Sequence, residues 1–318
     1  MARRIIFHVD ANSAFLSWTA AYRIKVLGET LDLRDVPSVI AGDKASRHSI
    51  ILARSTPAKK LGIQTGEPLF QALEKCPDLI VAPPDYELYV EASRHFVQML
   101  RQFSPVVEQY SIDEAWVDMT GTQRIYGDPR LAAEQMRERI WNELGFTVNV
   151  GISSNKLLAK MAGDLEKPNK IHTIFPEEME RKMWPLPVAD LYMAGKSSVE
   201  VLHKLGIRTI GELANTDPAL LELHLKSHGR TLWEFANGRS GDKVIREHVE
   251  SKGIGHSTTL PKDLTSEEEA QNVLLMLAGM VAKRVRKEQK KAKMISVEIK
   301  YSTFQSVSHQ KQLAKATS

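Results

Sequence analysis

An acidic residue at the end of the first apolar segment restricts the fold more than any other feature. Residues 5–9 are apolar and rich in β-branched side chains, and Asp10 follows them directly. This pattern predicts a buried strand that delivers a carboxylate at its carboxyl end. Asn12 or Ser13 can cap the next helix, whose first aromatic residue is Phe15.

A second acidic site lies between two strand-like runs, residues 106–110 and 115–119. The connection Ser-Ile-Asp-Glu predicts a hairpin with Asp113 and Glu114 at or near its turn. Taken alone, these two acids could equally belong to a solvated turn. Together with Asp10 they supply what a two-metal phosphoryl-transfer centre needs, because carboxylates must bridge two Mg²⁺ ions about 3.5–4 Å apart.

The order of the predicted elements indicates a mixed α/β layer followed by other modules. Strand, helix, an inserted strand–helix segment, helix, hairpin, helix and strand occupy residues 5–152. From about residue 176 the pattern changes to short helices, and the polar residues 238–252 are typical of a linker. A last module begins with the capping box Ser266-x-x-Glu269, which opens a helix to about residue 290, followed by a strand at 294–301 with a possible partner.

Charge is distributed unevenly along the 318 residues. The net charge is +4, yet residues 281–318 hold ten Lys and Arg against two Glu, a net charge of +8 that leaves −4 for the rest. Such segregation favours a separate module that faces a polyanion, although a solvated helix face is the simpler alternative.

Several classes of protein are disfavoured by what the sequence lacks. No apolar run approaches the roughly 20 residues of a membrane helix, and the N-terminus is unlike a signal peptide, so we expect a cytoplasmic protein. Cys76 is the only cysteine, which excludes an intramolecular disulfide. The HExxH zinc motif and glycine-rich phosphate loops are also missing.

Four segments resemble motifs of the Y-family DNA polymerases, in the family's order and over essentially the whole chain. They are FHVDANSAF (7–15), YSIDEAWVDMTG (110–121), VGISSNKLLAKMAGDLEKPN (150–169) and KGIGHSTTLP (252–261). The similarity is closest to the bacterial polymerase IV and UmuC-like branch.

The resemblance implies an α/β (α+β) right-hand polymerase of several domains. It predicts a ferredoxin-like catalytic palm at residues 1–25 and 76–175, and small fingers at 26–75. A helical thumb at 176–238, a linker at 239–252 and an α/β little finger at 253–318 follow. Family little fingers normally continue further, so we expect this one to be shortened.

The resemblance also assigns the candidate catalytic residues. Asp10, Asp113 and Glu114 correspond to the ligands of two Mg²⁺ ions, and the carbonyl oxygen of Ala11 is expected to complete one coordination shell. Phe15 occupies the position of the steric gate, an aromatic ring that excludes the ribose 2′-hydroxyl. A core aromatic of the first helix is the alternative for Phe15.

Three further residues are expected to bind the incoming nucleotide. Lys167 matches a family lysine that contacts the triphosphate. Lys59 stands where arginine is more usual, and Thr56 stands where many members have tyrosine. Both departures keep a charge or a hydroxyl but lose reach or bidentate geometry, so nucleotide affinity is expected to be weaker.

Candidate DNA contacts come from two places. Residues 193–207 resemble a helix-hairpin-helix, in which the backbone around Gly195 and Lys196 would hold a phosphate, although Met193 replaces a usual glycine. A purely structural helical connection is the alternative. The basic residues chosen from the last module are Lys283, Arg284, Arg286, Lys293 and Lys300.

These expectations describe a low-fidelity, translesion DNA-directed DNA polymerase that acts in damage tolerance. Its partners would be primer-template DNA and dNTPs, with the sliding clamp reached only through a C-terminal segment not present here; we expect a monomer. Two alternatives are a catalytically impaired DNA-binding scaffold and a nucleotidyl cyclase, which also places two acids on a similar layer.

Overall fold

The protein consists of two compact units, Met1–His248 and Val249–Ser318. The computed structural model describes residues 3–43, 49–241, 243–246 and 252–318. Part of the predicted linker, residues 242 and 247–251, lies outside this range. None of the helices in the described part of the chain combines the length and the apolar character that a membrane span requires.

The strands and helices follow one another as the sequence predicts in most places. The strands are β1 Ile6–Ala11, β2 Ser38–Ala41, β3 Ile51–Arg54, β4 Ile80–Ala82, β5 Val107–Gln109, β6 Glu114–Asp118, β7 Val148–Ser153, β8 Ile171–Thr173, β9 Ala292–Lys300 and β10 Ser306–Thr317. The α-helices are α1 Ala14–Lys25, α2 Thr56–Lys60, α3 Leu69–Lys75, α4 Tyr86–Arg101, α5 Gln123–Tyr126, α6 Pro129–Arg139, α7 Lys156–Asp164, α8 Met179–Lys182, α9 Lys196–Lys204, α10 Ile210–Ala214, α11 Pro218–Leu225, α12 Ser227–Ala236 and α13 Glu267–Lys287.

A five-stranded sheet in the order β5-β6-β1-β7-β8 forms the centre of the first unit. Strand β1 pairs antiparallel with β6 on one side and with β7 on the other. Strands β5, β6, β1 and β7 therefore have the order and directions of a ferredoxin-like sheet, as predicted. Helices α1, α4 and α6 cover it, and its core includes Trp18, Phe96 and Phe146.

Two other large apolar cores lie in the described part of the first unit, besides a small cluster of Ile6, Trp116, Ala159 and Val244. A three-stranded sheet, β3-β2-β4, packs with α2 and α3 around Val39, Ile51 and Leu69. The helices from α7 to α12 enclose a third core that includes Leu202 and Leu232. Strands β4 and β8 were not predicted, because each has only three residues and is recognised mainly by its parallel partner.

The second unit is a helix and a hairpin. Ser266 caps α13 by accepting a hydrogen bond from Glu269 N at 3.2 Å, which confirms the predicted helix start. Strand β9 pairs antiparallel with β10, as expected. Val285 is the only buried apolar side chain among the described residues of this unit.

Close backbone contact fixes the distance between β7 and α7. Gly151 faces Gly163, and a Cβ atom on Gly151 would lie 1.9 Å from the Ala159 carbonyl oxygen and 2.3 Å from Gly163 N. Both contacts are with backbone, which cannot rotate away. Only glycine at position 151 lets the helix lie this close to the strand.

We predict that Gly151→Ala lowers the free energy of unfolding by about 3 kcal/mol or more, because the helix must move off the strand. Gly241→Ala is the matched control, since a Cβ there meets nothing within 4 Å. Chemical denaturation of both variants checks the prediction. Equal stability of the two would contradict the close contact.

Candidate active site

The register of β1 and β6 brings the predicted acids together. Asp10 lies directly opposite Glu114, and the backbone N–H of Ala11 donates to the carbonyl oxygen of Asp113 at 3.0 Å. Asp113 occupies the hairpin connection, where Ser111 Oγ donates to its carboxylate at 2.6 Å. The three carboxylates, which come from regions about a hundred residues apart in sequence, thus lie together at the same end of neighbouring strands.

Lys167 neutralises Asp10. Its Nζ forms an ion pair with the Asp10 carboxylate and a second one with Asp164 at 2.9 Å. Burial raises the pKa of Asp10, and the charge and hydrogen bond of Lys167 offset only part of this effect. Burial acts to lower the pKa of Lys167, but the two carboxylates outweigh it and raise that pKa above its usual value. Lys167 therefore stays protonated and supplies a positive charge beside Asp10.

Glu114 has a different environment. The wholly buried His8 donates from Nε2 to Glu114 Oε2 at 2.9 Å, and Lys160 Nζ forms an ion pair with the same oxygen. Burial alone would raise the pKa of Glu114, but the hydrogen bonds from His8 and Lys160 and their charges outweigh it and lower the pKa to about 2. Glu114 therefore stays ionised, whereas Asp10 is protonated more readily than an ordinary aspartate.

The donor set suits a hard divalent cation, because it consists of carboxylate and carbonyl oxygens without sulfur. In the part of the chain that the structure describes, however, no three His, Cys, Asp or Glu side chains are grouped as around a metal ion. The reason is visible in the ion pairs, since Lys167 and Lys160 each draw one carboxylate toward an ammonium group. The ligand types fit, and the side chains would have to exchange partners to coordinate an ion.

A cleft of about 510 Å³ opens beside the acids. That volume is within the range of small-molecule sites. Seven of the eight predicted catalytic and nucleotide-binding residues line it: Asp10, Ala11, Phe15, Thr56, Lys59, Asp113 and Lys167. Glu114 lies behind the cleft rather than in its lining, bonded to His8.

The cleft also contains a cation that sequence analysis missed. Arg54, at the end of β3, lines it beside Lys59, and its guanidinium donates to the carbonyl oxygen of Ile63. Alternation along β3 would not have identified it, because Leu52, Ala53 and Arg54 all line the cleft. Together with Lys59 and Lys167, Arg54 gives the cleft three cationic side chains against two acids.

Phe15 belongs to both the cleft and the core. Its ring stacks on Tyr89 with centroids 4.2 Å apart and planes 5° apart, while Tyr86 packs edge-on at 6.2 Å. The other side of the residue lines the cleft. The two interpretations of Phe15 are therefore compatible, because the core contacts fix a ring that the cleft exposes.

The predicted DNA-contacting residues lie outside the cleft lining. Gly195 and Lys196 are exposed at the start of α9. Met193 adopts the left-handed conformation, with φ of 70°, which is the one that glycine favours. The turn thus keeps its backbone shape despite the substitution.

The five basic residues of the second unit are all exposed. They differ in their surroundings, since Arg284 donates to the Gly255 carbonyl oxygen at 2.8 Å and Lys300 lies 5.0 Å from the ring of Phe304. Lys293 and Lys300 are seven residues apart on β9 and point to opposite faces.

Comparisons with known proteins identify the family of this chain. Residues 9–164 match the impB/mucB/samB family, and residues 251–318 match the C-terminal domain of that family. The chain belongs to the Y-family of DNA polymerases. It is 50% identical over 315 residues to a DNA polymerase IV of Clostridium acetobutylicum, covering 99% of this chain and 79% of the relative.

Other members of the Y-family give the same result. A DNA polymerase IV of Clostridium kluyveri is 38% identical, with 98% of this chain and 76% of the relative covered. A solved Y-family DNA polymerase chimera matches with a TM-score of 0.85 at 23% identity, covering 99% of this chain and 89% of that one. The predicted family, its polymerase IV type and the mixed α/β fold are confirmed, and the nucleotidyl cyclase alternative is not supported.

The depressed pKa of Glu114 predicts a pH-dependent contribution to stability. Because the folded-state pKa of about 2 is below the ordinary value of 4.5, ionised Glu114 stabilises the fold above pH 4.5, and this contribution is lost as the pH falls toward 2. We predict that Glu114→Gln lowers the unfolding free energy by up to about 3 kcal/mol at pH 6 and by progressively less below pH 4.5.

Denaturation curves of both proteins between pH 6 and 3 measure this difference. Glu143→Gln serves as the control, because its ion pair with Arg139 is solvent-exposed and contributes little. A difference for Glu114→Gln that grows on acidification would contradict the prediction.

Proposed function

We propose that this Y-family member is a template-directed, low-fidelity DNA polymerase that copies damaged DNA. The reaction joins the primer 3′-hydroxyl to the α-phosphate of a dNTP and releases pyrophosphate. The observation that carries this proposal is the meeting of Asp10 and Asp113 with three cationic side chains in one cleft. Such a cleft suits a metal–triphosphate complex, because the carboxylates can bind the metal ions and the cationic side chains can bind the phosphates.

The carboxylates of Asp10, Asp113 and Glu114 and the carbonyl of Ala11 would hold two Mg²⁺ ions. When bound, such ions lower the pKa of the attacking hydroxyl and stabilise the charge on the leaving pyrophosphate. The chain's own contribution is to place the reactants. Lys167 and Lys59 bind the triphosphate, Thr56 offers it a hydroxyl, and Phe15 limits the space beside the sugar.

Lys167 has two acceptors in this scheme. In the structure its ammonium group pairs with Asp10. A bound triphosphate offers more negative charge, so Lys167 exchanges the carboxylate for a phosphate and releases Asp10 as a ligand. Lysine suits this exchange because it is a flexible point charge without a fixed hydrogen-bonding geometry.

The three cores of the first unit and the separate second unit support the right-hand assignment. We assign the five-stranded sheet and α7 to the palm and helices α8 to α12 to the thumb. The β3-β2-β4 sheet with α2 and α3 forms the fingers, which extends them to β4, past the predicted boundary at residue 75. The second unit is the little finger. Its exposed Lys and Arg bind phosphates without reading sequence, as does the turn at Gly195 and Lys196. Action in the cytoplasm, as a monomer, and clamp binding remain predictions.

We predict that Asp113→Asn reduces primer extension at least about a thousandfold, because it removes a charge on which phosphoryl transfer depends. The assay uses a primed template, dNTPs and Mg²⁺. Asp118→Asn is the matched control, since Asp118 lies at the far end of β6, the strand that begins just after Asp113, and its side chain accepts from Thr120 N at 3.0 Å. The control should retain extension.

Each result of this assay has a definite meaning. Extension by wild type and Asp118→Asn, but not by Asp113→Asn, supports the catalytic assignment. Binding of template-primer by the wild type without incorporation under Mg²⁺ or Mn²⁺ would remove the polymerase proposal for this chain and leave the DNA-binding scaffold.

We further predict that Phe15→Ala reduces discrimination against rNTPs by at least about tenfold, or about 1.4 kcal/mol, because it opens space for the 2′-hydroxyl. Insertion of a dNTP and its matching rNTP is measured for each variant. Phe70→Ala is the control, since Phe70 is an exposed aromatic of α3 outside the cleft lining. Unchanged discrimination in Phe15→Ala would contradict the gate assignment.

A further inference from the structure

A pair of buried amides lies beneath the segment that carries Lys167. Asn149 is fully buried in β7, directly opposite Asp10 on β1. Asn12 follows β1 and is 9% exposed. Its Nδ2 donates to Asn149 Oδ1 at 3.0 Å. Val148 and Val150, the strand neighbours of Asn149, point to the opposite face of the sheet, so the amide faces the backbone that follows β7 rather than the apolar core of that other face.

The hydrogen-bonding capacity of Asn149 is used completely. Its Nδ2 donates to the carbonyl oxygens of Gly163 at 2.9 Å and Glu166 at 2.6 Å. Its Oδ1 accepts from Lys170 N at 3.3 Å in addition to Asn12. An amide offers two donors and two acceptor positions, and all of them have partners here. Burying an amide with unsatisfied donors or acceptors would lower the stability of the fold, so these four bonds restrict the backbone to this one arrangement.

These bonds hold the chain on both sides of Lys167. On one side, Asn149 binds the carbonyl of Glu166. On the other, Asn12 Oδ1 accepts from Asn169 N at 2.9 Å. Lys167 therefore stands on a short segment whose two ends are fixed to β1 and β7, the strands that also place Asp10.

We propose that Asn12 and Asn149 are positioning residues that set where Lys167 meets the triphosphate of the incoming nucleotide. This inference rests on the proposed function, because it takes the triphosphate as the partner of Lys167. An apolar residue at position 149 could fill the same core volume, but it could not bind the backbone of residues 163–170. The amides thus act on the segment, and through it on Lys167.

A double-mutant cycle tests the proposal. Single-turnover insertion of one correct dNTP gives its apparent Kd and maximal rate for wild type, Asn149→Ala, Lys167→Ala and the double variant. We expect Asn149→Ala to raise the apparent Kd about five- to tenfold, the effect of losing hydrogen bonds of ordinary strength. In the Lys167→Ala background, Asn149→Ala should raise the apparent Kd less than about twofold. The effects of two substitutions that act through the same group are not additive.

Asn155→Ala is the matched control. Asn155 caps α7 by accepting from Leu158 N at 2.8 Å and donates to the Gly238 carbonyl at 2.9 Å, so it is structural but does not contact residues 166–170. It should lower the melting temperature and leave the apparent Kd unchanged in both backgrounds. Asn12→Ala repeats the cycle if Asn149→Ala does not fold, and Asn12→Asp, which keeps the acceptor for Asn169 N, should recover part of the affinity.

Hydrogen–deuterium exchange of residues 163–170 provides a readout independent of activity. Exchange should increase in Asn149→Ala and not in Asn155→Ala. The proposal is overturned if Asn149→Ala leaves dNTP affinity unchanged, if its full effect persists without Lys167, or if Lys167→Ala itself has no effect on affinity. A wild type that shows no extension would instead refute the proposed function, whatever the exchange results.

Discussion

The antiparallel pairing of β1 between β6 and β7 is the constraint on which the site depends. It places Glu114 on one side of Asp10 and Asn149 on the other, so a charged group and a buried amide flank the same residue. A shift of one residue in either ladder would turn these side chains to the opposite face of the sheet. The apolar residues that alternate with them, including Val9 and Val150, hold the register because they must stay buried.

The environments of Asp10 and Glu114 differ although the two residues are neighbours. Glu114 is stabilised as a carboxylate by His8 and Lys160, which belong to the rigid strand β1 and helix α7. Asp10 depends on Lys167, which lies just beyond the end of α7. One carboxylate is thus fixed by the scaffold, while the charge balance of the other depends on a side chain that can change partners.

Sequence analysis predicted the elements that carry strong local signals. The hairpin around Asp113 and the cap at Ser266 follow from alternation and turn chemistry, whereas the order of the palm strands was expected from the family resemblance. Strands β4 and β8 were missed because three residues contain too little pattern. Arg54 and Asn149 were missed for a different reason, since their roles arise from partners distant in sequence, such as Gly163 for Asn149. The ion pairs of Lys160 and Lys167 could not be read from spacing either, because they depend on the approach of α7 to the sheet.

The stacking of Phe15 on Tyr89 has a consequence for how a nucleotide would be selected. A ring stacked on Tyr89, with centroids 4.2 Å apart, is held in place by the core, so under the proposed gate role it would act on the sugar through excluded volume. Excluded volume does not depend on which base the sugar carries or on whether that base is paired correctly. Under the proposed gate role, sugar selection in this cleft would therefore be separable from base selection, so a polymerase that tolerates distorted templates could still refuse ribonucleotides.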